Sequence, residues 1–191
     1  MSTLLEQTLQ SIDQANADDP KDGVEVLYSQ RMLQTLRAFD PNASEPLTLA
    51  CYAQHVCRWK LIRKDYPEGL AGYLTWRTDL AKLHAATLRN LMTLSGYSNT
   101  DIERASDIIQ KKKLKKDADS QTLEDVSCLV FLNYYFGAFA KKHPEEKIID
   151  IVRKTWGKMS DKGHVTALKI NFSAKQQRLI NKALSSNQPT N

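Results

Sequence analysis

Cysteine is scarce in this chain: Cys51, Cys57 and Cys128 make an odd count, and no two of them form a C-x-x-C pair. That excludes a disulfide framework and a zinc knuckle, and points to reduced thiols in a cytosolic protein. No apolar run approaches the ~20 residues a membrane-spanning helix requires. The N-terminal MSTLLEQTLQSIDQ lacks both the basic start and the apolar stretch of a signal peptide, so a cytoplasmic protein with no membrane partner is expected. Glycine is also sparse, at seven residues, and no segment alternates apolar with polar residues long enough to make a strand. Folds that need strands alternating with helices are therefore excluded.

What is present is helical periodicity. The chain has 191 residues, of which 41% are hydrophobic and 26% charged, the balance of an ordinary globular domain. A net charge of +5 suits anionic ligands or nucleic acid without demanding either. The pattern predicts helices near 3–16, 24–38, 46–60, 70–95, 99–112, 120–141, 145–160 and 174–185. Pro20 with its Asp/Gly neighbours breaks the first from the second, and Asp40-Pro41-Asn42 ends the second. His143-Pro144-Glu145-Glu146 places proline and two acids where a first turn accepts them, and Ser173 to Gln176 has the spacing of a capping box. The expected architecture is all-α: one bundle of about eight helices over residues 1–184, followed by a disordered tail at 185–191.

Four segments embed a polar group in an apolar stripe: VLYSQRM (26–32), YAQHVCRWKLIR (52–63), LAKLHAATLRNLMTLSGY (80–97) and TLEDVSCLVFL (122–132). His55 follows Leu47, Leu49, Ala50 and Cys51; His84 shares a face with Leu80 and Leu88; Asp125 opens a strongly apolar run. Two imidazoles and a carboxylate on inward faces are costly unless they satisfy one another or a ligand.

In order and spacing these segments resemble the HD-domain phosphohydrolases, all-helical bundles whose metal ligands are a histidine, a His-Asp pair and a distant aspartate. LTLACYAQHVCRWK is similar to the helix ending in His-Asp, with His55 at the histidine, and TLEDVSCL to the final aspartate helix, with Asp125 at that aspartate. The resemblance departs at two ligands: Tyr28 stands at the first histidine and Val56 at the aspartate of the pair. It implies a site in which His55, His84 and Asp125 hold a divalent metal (manganese, iron or zinc) and act as the catalytic residues of a phosphoester hydrolase. The alternative is a metal-free polar cluster in which Asp125 orients a histidine. Over nearly the whole chain, YAQHVCRW, YPEGLAGYLTWR, TLEDVSCLVFL and IIDIVRKTWGKMSDKGH resemble an uncharacterised family, the domain of unknown function numbered four-two-zero-two. Some of its members carry the label glutamyl-tRNA synthetase. The pentapeptide KMSDK (158–162) is similar to the KMSKS loop of class I synthetases, but without a strand–helix scaffold it reads as a helix end stopped by Gly163.

Basic and aromatic residues surround the expected site. Arg58 and Trp59 follow His55 by about one helical turn, and Tyr28 and Arg31 have the same i, i+3 relation. Arg77 stands beside Trp76 and Tyr73, which serve either as a base-stacking platform or as the seal of the bundle's end. KKKLKKD (111–117) is either a solvated helix end or an electrostatic contact to nucleic acid or polyphosphate. The ligand expected is a small phosphorylated compound, a nucleotide above all, contacted by Arg58, Arg31, Tyr28, Trp59, Arg77, Lys113 and Lys158; nucleic acid is the less favoured partner. The competing reading is a non-catalytic binding protein for an anionic ligand or RNA.

Overall fold

The computed structural model describes residues 3–20 and 23–185. Among them lie ten α-helices and no strand: α1 (Thr3–Asn16), α2 (Val24–Phe39), α3 (Glu45–Tyr52), α4 (Gly69–Ser95), α5 (Asn99–Ile109), α6 (Ala118–Val130), α7 (Phe136–Lys142), α8 (Glu145–Lys158), α9 (Asp161–Ala167) and α10 (Ala174–Ser185). The all-α class expected from periodicity is what the chain adopts. Of the expected tail, only Ser185 falls among the described residues, and it closes α10. No helix among the described residues is long and apolar enough to cross a membrane. Where the sequence suggested one domain over 1–184, the chain gathers into two compact units, Met1–Leu123 and Glu124–Asn191.

In the first unit α4 packs along α1 and α5, and α3 packs against α2 and α5. Ile12, Met32, Leu36, Leu49, Leu88 and Ile108 are almost wholly withdrawn from water, and burying each such side chain contributes about 1.5–3 kcal/mol. Helix ends follow local chemistry. The Ser44 hydroxyl accepts the Leu47 N–H at 3.3 Å with Pro46 in the first turn, and the Ser98 hydroxyl accepts the Asp101 N–H at 3.2 Å. Gly96, at φ +94°, ends α4.

The helix expected over 46–60 stops at Tyr52, and tight turns carry the chain to Cys57 at φ +53°. No proline or glycine marks this break. The cause is tertiary: the Cys57 N–H donates to the side-chain oxygen of buried Asn16, 41 residues earlier, at 2.9 Å. His55 therefore sits in a turn and not on a helix face, and Arg58 is not one helical turn beyond it.

The segment between α5 and α6 is conformationally unusual. Lys111, Lys113 and Lys115 have φ of +55°, +56° and +68°, a left-handed conformation that costs a side-chain-bearing residue roughly 1–2 kcal/mol. The helix expected to reach 112 ends at Ile109, and the lysines that follow wind through successive turns. Arg104 holds the far end, its guanidinium donating to Asp117 at 2.7 and 3.2 Å and to Asp119 at 2.6 Å. The Ser120 hydroxyl ties back to the Lys112 carbonyl at 3.0 Å.

In the second unit Phe136, Ile148, Val152, Leu179 and Ile180 form a core from α7, α8 and α10, with Phe131, Phe139 and Phe172 packed on it. Between α6 and α7 a single π turn, Phe131–Tyr135, interrupts the helix expected over 120–141. The expected capping box forms: the Ser173 N–H donates to Gln176 Oε1 at 2.9 Å, and the Gln176 N–H to the Ser173 hydroxyl at 3.4 Å.

The KMSDK segment corrects the sequence reading. Gly163 does not stop a helix; α8 ends at Lys158, and Ser160 caps a new helix, α9, in which Gly163 lies in the first turn. The Ser160 hydroxyl accepts the Gly163 N–H at 3.1 Å while itself donating to Asp125 Oδ2, and the Ser160 N–H donates to Asp125 Oδ1 at 2.8 Å. A Cβ on Gly163 would lie 2.6 Å from Asp125 Oδ1, so the glycine serves close approach to this carboxylate. Gly163→Ala is expected to destabilise the protein by about 1–3 kcal/mol in urea unfolding. Gly157→Ala on α8, where a Cβ meets nothing within 4 Å, is expected to raise stability by about 0.5–1 kcal/mol. Equal effects of the two substitutions would contradict the assignment.

Candidate functional site

The two histidines singled out in the sequence come together in the first unit. His84 lies on α4 and is 3% exposed. Its Nδ1 is 2.8 Å from the carbonyl oxygen of Val56; because a carbonyl only accepts, Nδ1 carries the hydrogen and Nε2 keeps its lone pair. Val56 thus replaces the aspartate that the resemblance led us to expect with a backbone acceptor, while its side chain joins the core. The His55 ring centroid is 6.2 Å from that of His84, tilted by 33°. His55 also meets Tyr28 from α2, stacked at 3.7 Å and 9°. Tyr28 therefore takes the position of a flat packing partner and not that of a ligand.

His55 Nδ1 is 3.2 Å from Glu25 Oε2, and the His55 side chain remains 22% exposed, so it can be reached by a ligand. Glu25 is itself buried near the start of α2, where its N–H donates to Asp19 Oδ2 at 3.2 Å. This carboxylate escaped the sequence reading because an acid in a first turn ordinarily serves the helix dipole. Its i, i+3 spacing to Tyr28 was the available signal.

Both imidazoles are held neutral. Burial pushes the His84 pKa down to about 3, with His55 adding to the effect and the Val56 carbonyl opposing it. Burial likewise lowers the pKa of His55 well below the usual histidine range, reinforced by Arg58, Arg77 and Lys111. Arg58 lies with its guanidinium 4.9 Å from the centre of the Trp76 ring. Its own pKa is lowered by burial and then by Arg77, while Glu25 opposes them. Three cations thus bear on one neutral ring, and two of them, Arg58 and Arg77, repel each other.

Two clefts open on this cluster. The first, of about 430 Å³, is lined by Glu25, Arg58, Trp59, Arg63, Lys64 and Trp76 among others. The second, of about 370 Å³, is lined by Gln54, Arg77, Lys82, Lys111 and Lys112 among others. Of the residues expected to bind substrate, Tyr28, Arg58, Trp59 and Arg77 are gathered at His55 or in these clefts. Arg31 stands half-buried one turn beyond Tyr28 on α2, and Lys113 is exposed in the strained lysine segment. Lys158 belongs to the second unit, 3.7 Å from Glu124 Oε1. A neighbouring lysine of the same segment, Lys111, acts on His55.

The donor set does not fit a resident divalent metal. Asp125, the expected carboxylate ligand, belongs to the second unit, where Ser160 occupies both of its oxygens. Among the described residues no group of three or more His, Cys, Asp or Glu side chains is placed to hold an ion. Beside the single carboxylate of Glu25, the charges of Arg58, Arg77 and Lys111 bear on His55 and would oppose a dication. What the cluster can do is accept an anion at Arg58 and Arg77, while the lone pair left on each imidazole can take up a donated proton.

Because His84 is neutral when folded and has a normal pKa when unfolded, the unfolded chain binds the extra proton between pH 6.5 and about 3. Its contribution to stability is complete above pH 6.5 and is lost as the pH falls through that window. His84→Gln is expected to flatten the stability–pH slope below pH 6.5 by about 1.4 kcal/mol per pH unit, the value for one proton. Urea titrations at pH 7.5, 6.0 and 5.0 measure it; parallel slopes for the two proteins would refute the neutral assignment.

A family model described as Domain of unknown function (DUF4202) matches residues 6–180, and the chain belongs to that family. No curated protein and no solved structure matches it at a significant level.

Proposed function

We propose that this member of the family binds a small phosphorylated compound, a nucleotide above all, with its phosphate held between Arg58 and Arg77 beside His55. The observation that carries the reading is the first cleft, where the Arg58 guanidinium lies 4.9 Å from the centre of the Trp76 ring beside Trp59, Arg63 and Lys64, with Arg77 adding its charge from α4. Like charges brought together in a partly buried site are unfavourable until an anion lies between them, and planar guanidinium forks match phosphate oxygens. The aromatic walls of the first cleft, Trp59 and Trp76, suit a planar base, and its volume of about 430 Å³ is in the range of small-ligand sites. The HD-domain-like order of the His55 and His84 segments is consistent with a phosphoester ligand. The proposed setting is the cytoplasm, where the buried free thiols Cys51, Cys57 and Cys128 stay reduced.

Hydrolysis of the bound phosphoester is a second reading, favoured by the contact between His55 Nδ1 and Glu25 Oε2. A carboxylate accepting from Nδ1 leaves Nε2 as the lone pair that could take a proton from an attacking water, the geometry of a general base. No step in this reading runs through a metal.

Calorimetric titration with adenosine 5′-monophosphate and with inorganic phosphate is the test. Arg58→Ala and Arg77→Ala are each expected to weaken binding at least tenfold, about 1.4 kcal/mol or more. Absence of measurable heat with either ligand up to millimolar concentration would refute the binding proposal. Phosphate release from the nucleotide, lost in His55→Ala and indifferent to added manganese, iron or zinc, would establish the hydrolytic reading; binding without turnover would remove it and leave the first intact.

A further inference from the structure

The proposed phosphate site accounts for the first cleft and leaves the second, with its strained lysine segment, unused. The two clefts lie on either side of one element. Trp76 lines the first and Arg77 the second, and neighbouring residues on a helix point about 100° apart, so α4 divides them. The turn after α3 runs between the same two spaces, Gln54 lining the second and Arg58 the first. Arg58 from the first cleft and Arg77 and Lys111 from the second all act on His55, the next residue after Gln54 in that turn.

Cations continue in both directions from that point. Arg63 and Lys64 line the first cleft; Lys82, Lys111 and Lys112 line the second. Two of these have acidic neighbours: Lys82 lies 3.4 Å from Asp79, and Lys112 lies 2.7 Å from Asp107. The lysine segment is fixed in place by Arg104 on Asp117 and Asp119 and by Ser120 on the Lys112 carbonyl. Left-handed lysines hold a costly conformation where glycine would be free of strain, and such outliers persist where the surrounding structure over-determines them. A single mononucleotide has too few phosphates to engage this length of charge.

A second observation concerns what the ligand carries besides phosphate. Gln54 is 9% exposed, and its amide oxygen is buried with no hydrogen-bond partner. Such an orphan in a cationic cleft needs a donor, which neither inorganic polyphosphate nor a lipid phosphate diester supplies. A ribose hydroxyl or a base amine does. On the first side, Tyr73 is 43% exposed and its ring lies 6.0 Å from that of Trp76, so an aromatic surface adjoins the phosphate site.

From these juxtapositions we infer that the ligand is a single-stranded nucleic acid, one nucleotide at Arg58 and His55 and the strand continuing over Arg77 onto the lysine segment. The inference rests on the phosphate site proposed above and names the class of compound it serves. Stacking on Trp76 and Tyr73 with phosphates tracked by Arg77, Lys111 and Lys112 is the general manner in which proteins hold single strands.

Fluorescence anisotropy with end-labelled oligoadenosine of two, six and twelve nucleotides, as RNA and as DNA, tests it. Affinity is expected to rise at least tenfold from two to twelve nucleotides. For single strands, log affinity falls against log salt by about 0.7 per phosphate contact, so Lys111→Ala/Lys112→Ala is expected to shallow the slope by about 1.4. The RNA and DNA arms identify the donor: a 2′-hydroxyl on Gln54 makes RNA several-fold tighter, whereas a base amine makes the two equal. If adenosine 5′-monophosphate binds but affinity for the oligomers is independent of length, or the double variant keeps the parent slope, the strand inference falls and the phosphate site stands. If neither the mononucleotide nor any oligomer binds, both fall.

Discussion

The hydrogen bond from His84 Nδ1 to the Val56 carbonyl is the constraint on which the first unit's site depends. It joins the middle of α4 to the turn that follows α3, and that turn carries Gln54, His55 and Arg58. With the proton fixed on Nδ1, the ring stays neutral in a buried setting where an imidazolium would be strongly disfavoured. His55 then stacks on Tyr28 with His84 nearby, and its own Nδ1 is turned to Glu25. The two imidazoles are oriented by different acceptors, a backbone carbonyl and a carboxylate, with one result: both stay uncharged among arginines.

The second unit shows the same economy with a different carboxylate. Asp125 accepts from the Ser160 N–H and hydroxyl, and Ser160 in turn caps α9. The glycine at 163 leaves room for that carboxylate, so three residues of one sharp corner depend on one another. A buried carboxylate is expensive without donors, and here both oxygens have one. The similarity of KMSDK to a nucleotide-handling loop has a local explanation: Ser-Asp-Lys-Gly is a helix start built against Asp125.

Charge in the first unit is distributed with a purpose that a net value of +5 does not convey. Arg104 is neutralised by Asp117 and Asp119, and the pKa of Asp117 is lowered to about 2, first of all by that guanidinium. The ion pair anchors the start of α6 and so holds the lysine turns beside the second cleft. Arg77 adds its charge to that of Arg58, and Glu25 opposes it. Arg104 has two acids of its own, and Lys82 and Lys112 beside the second cleft have one each, while Arg58, Arg77 and Lys111 act on the neutral ring of His55.

Much of this was legible in the sequence. Helical periodicity and punctuation located α1, α2, α4 and α10 to within a residue or so, and the Ser173–Gln176 spacing announced its capping box, because these depend on neighbours within one or two turns. Buried polar residues in apolar stripes likewise pointed to His55, His84 and Asp125 as groups needing partners. Which partner each found was decided only by tertiary structure. His84 meets a carbonyl 28 residues away, Asp125 a serine 35 residues away, and the break after α3 comes from an asparagine 41 residues earlier. Local pattern sets which residues turn inward; only the packed chain determines what they meet there, because a backbone carbonyl carries no sequence signature and any residue can supply one.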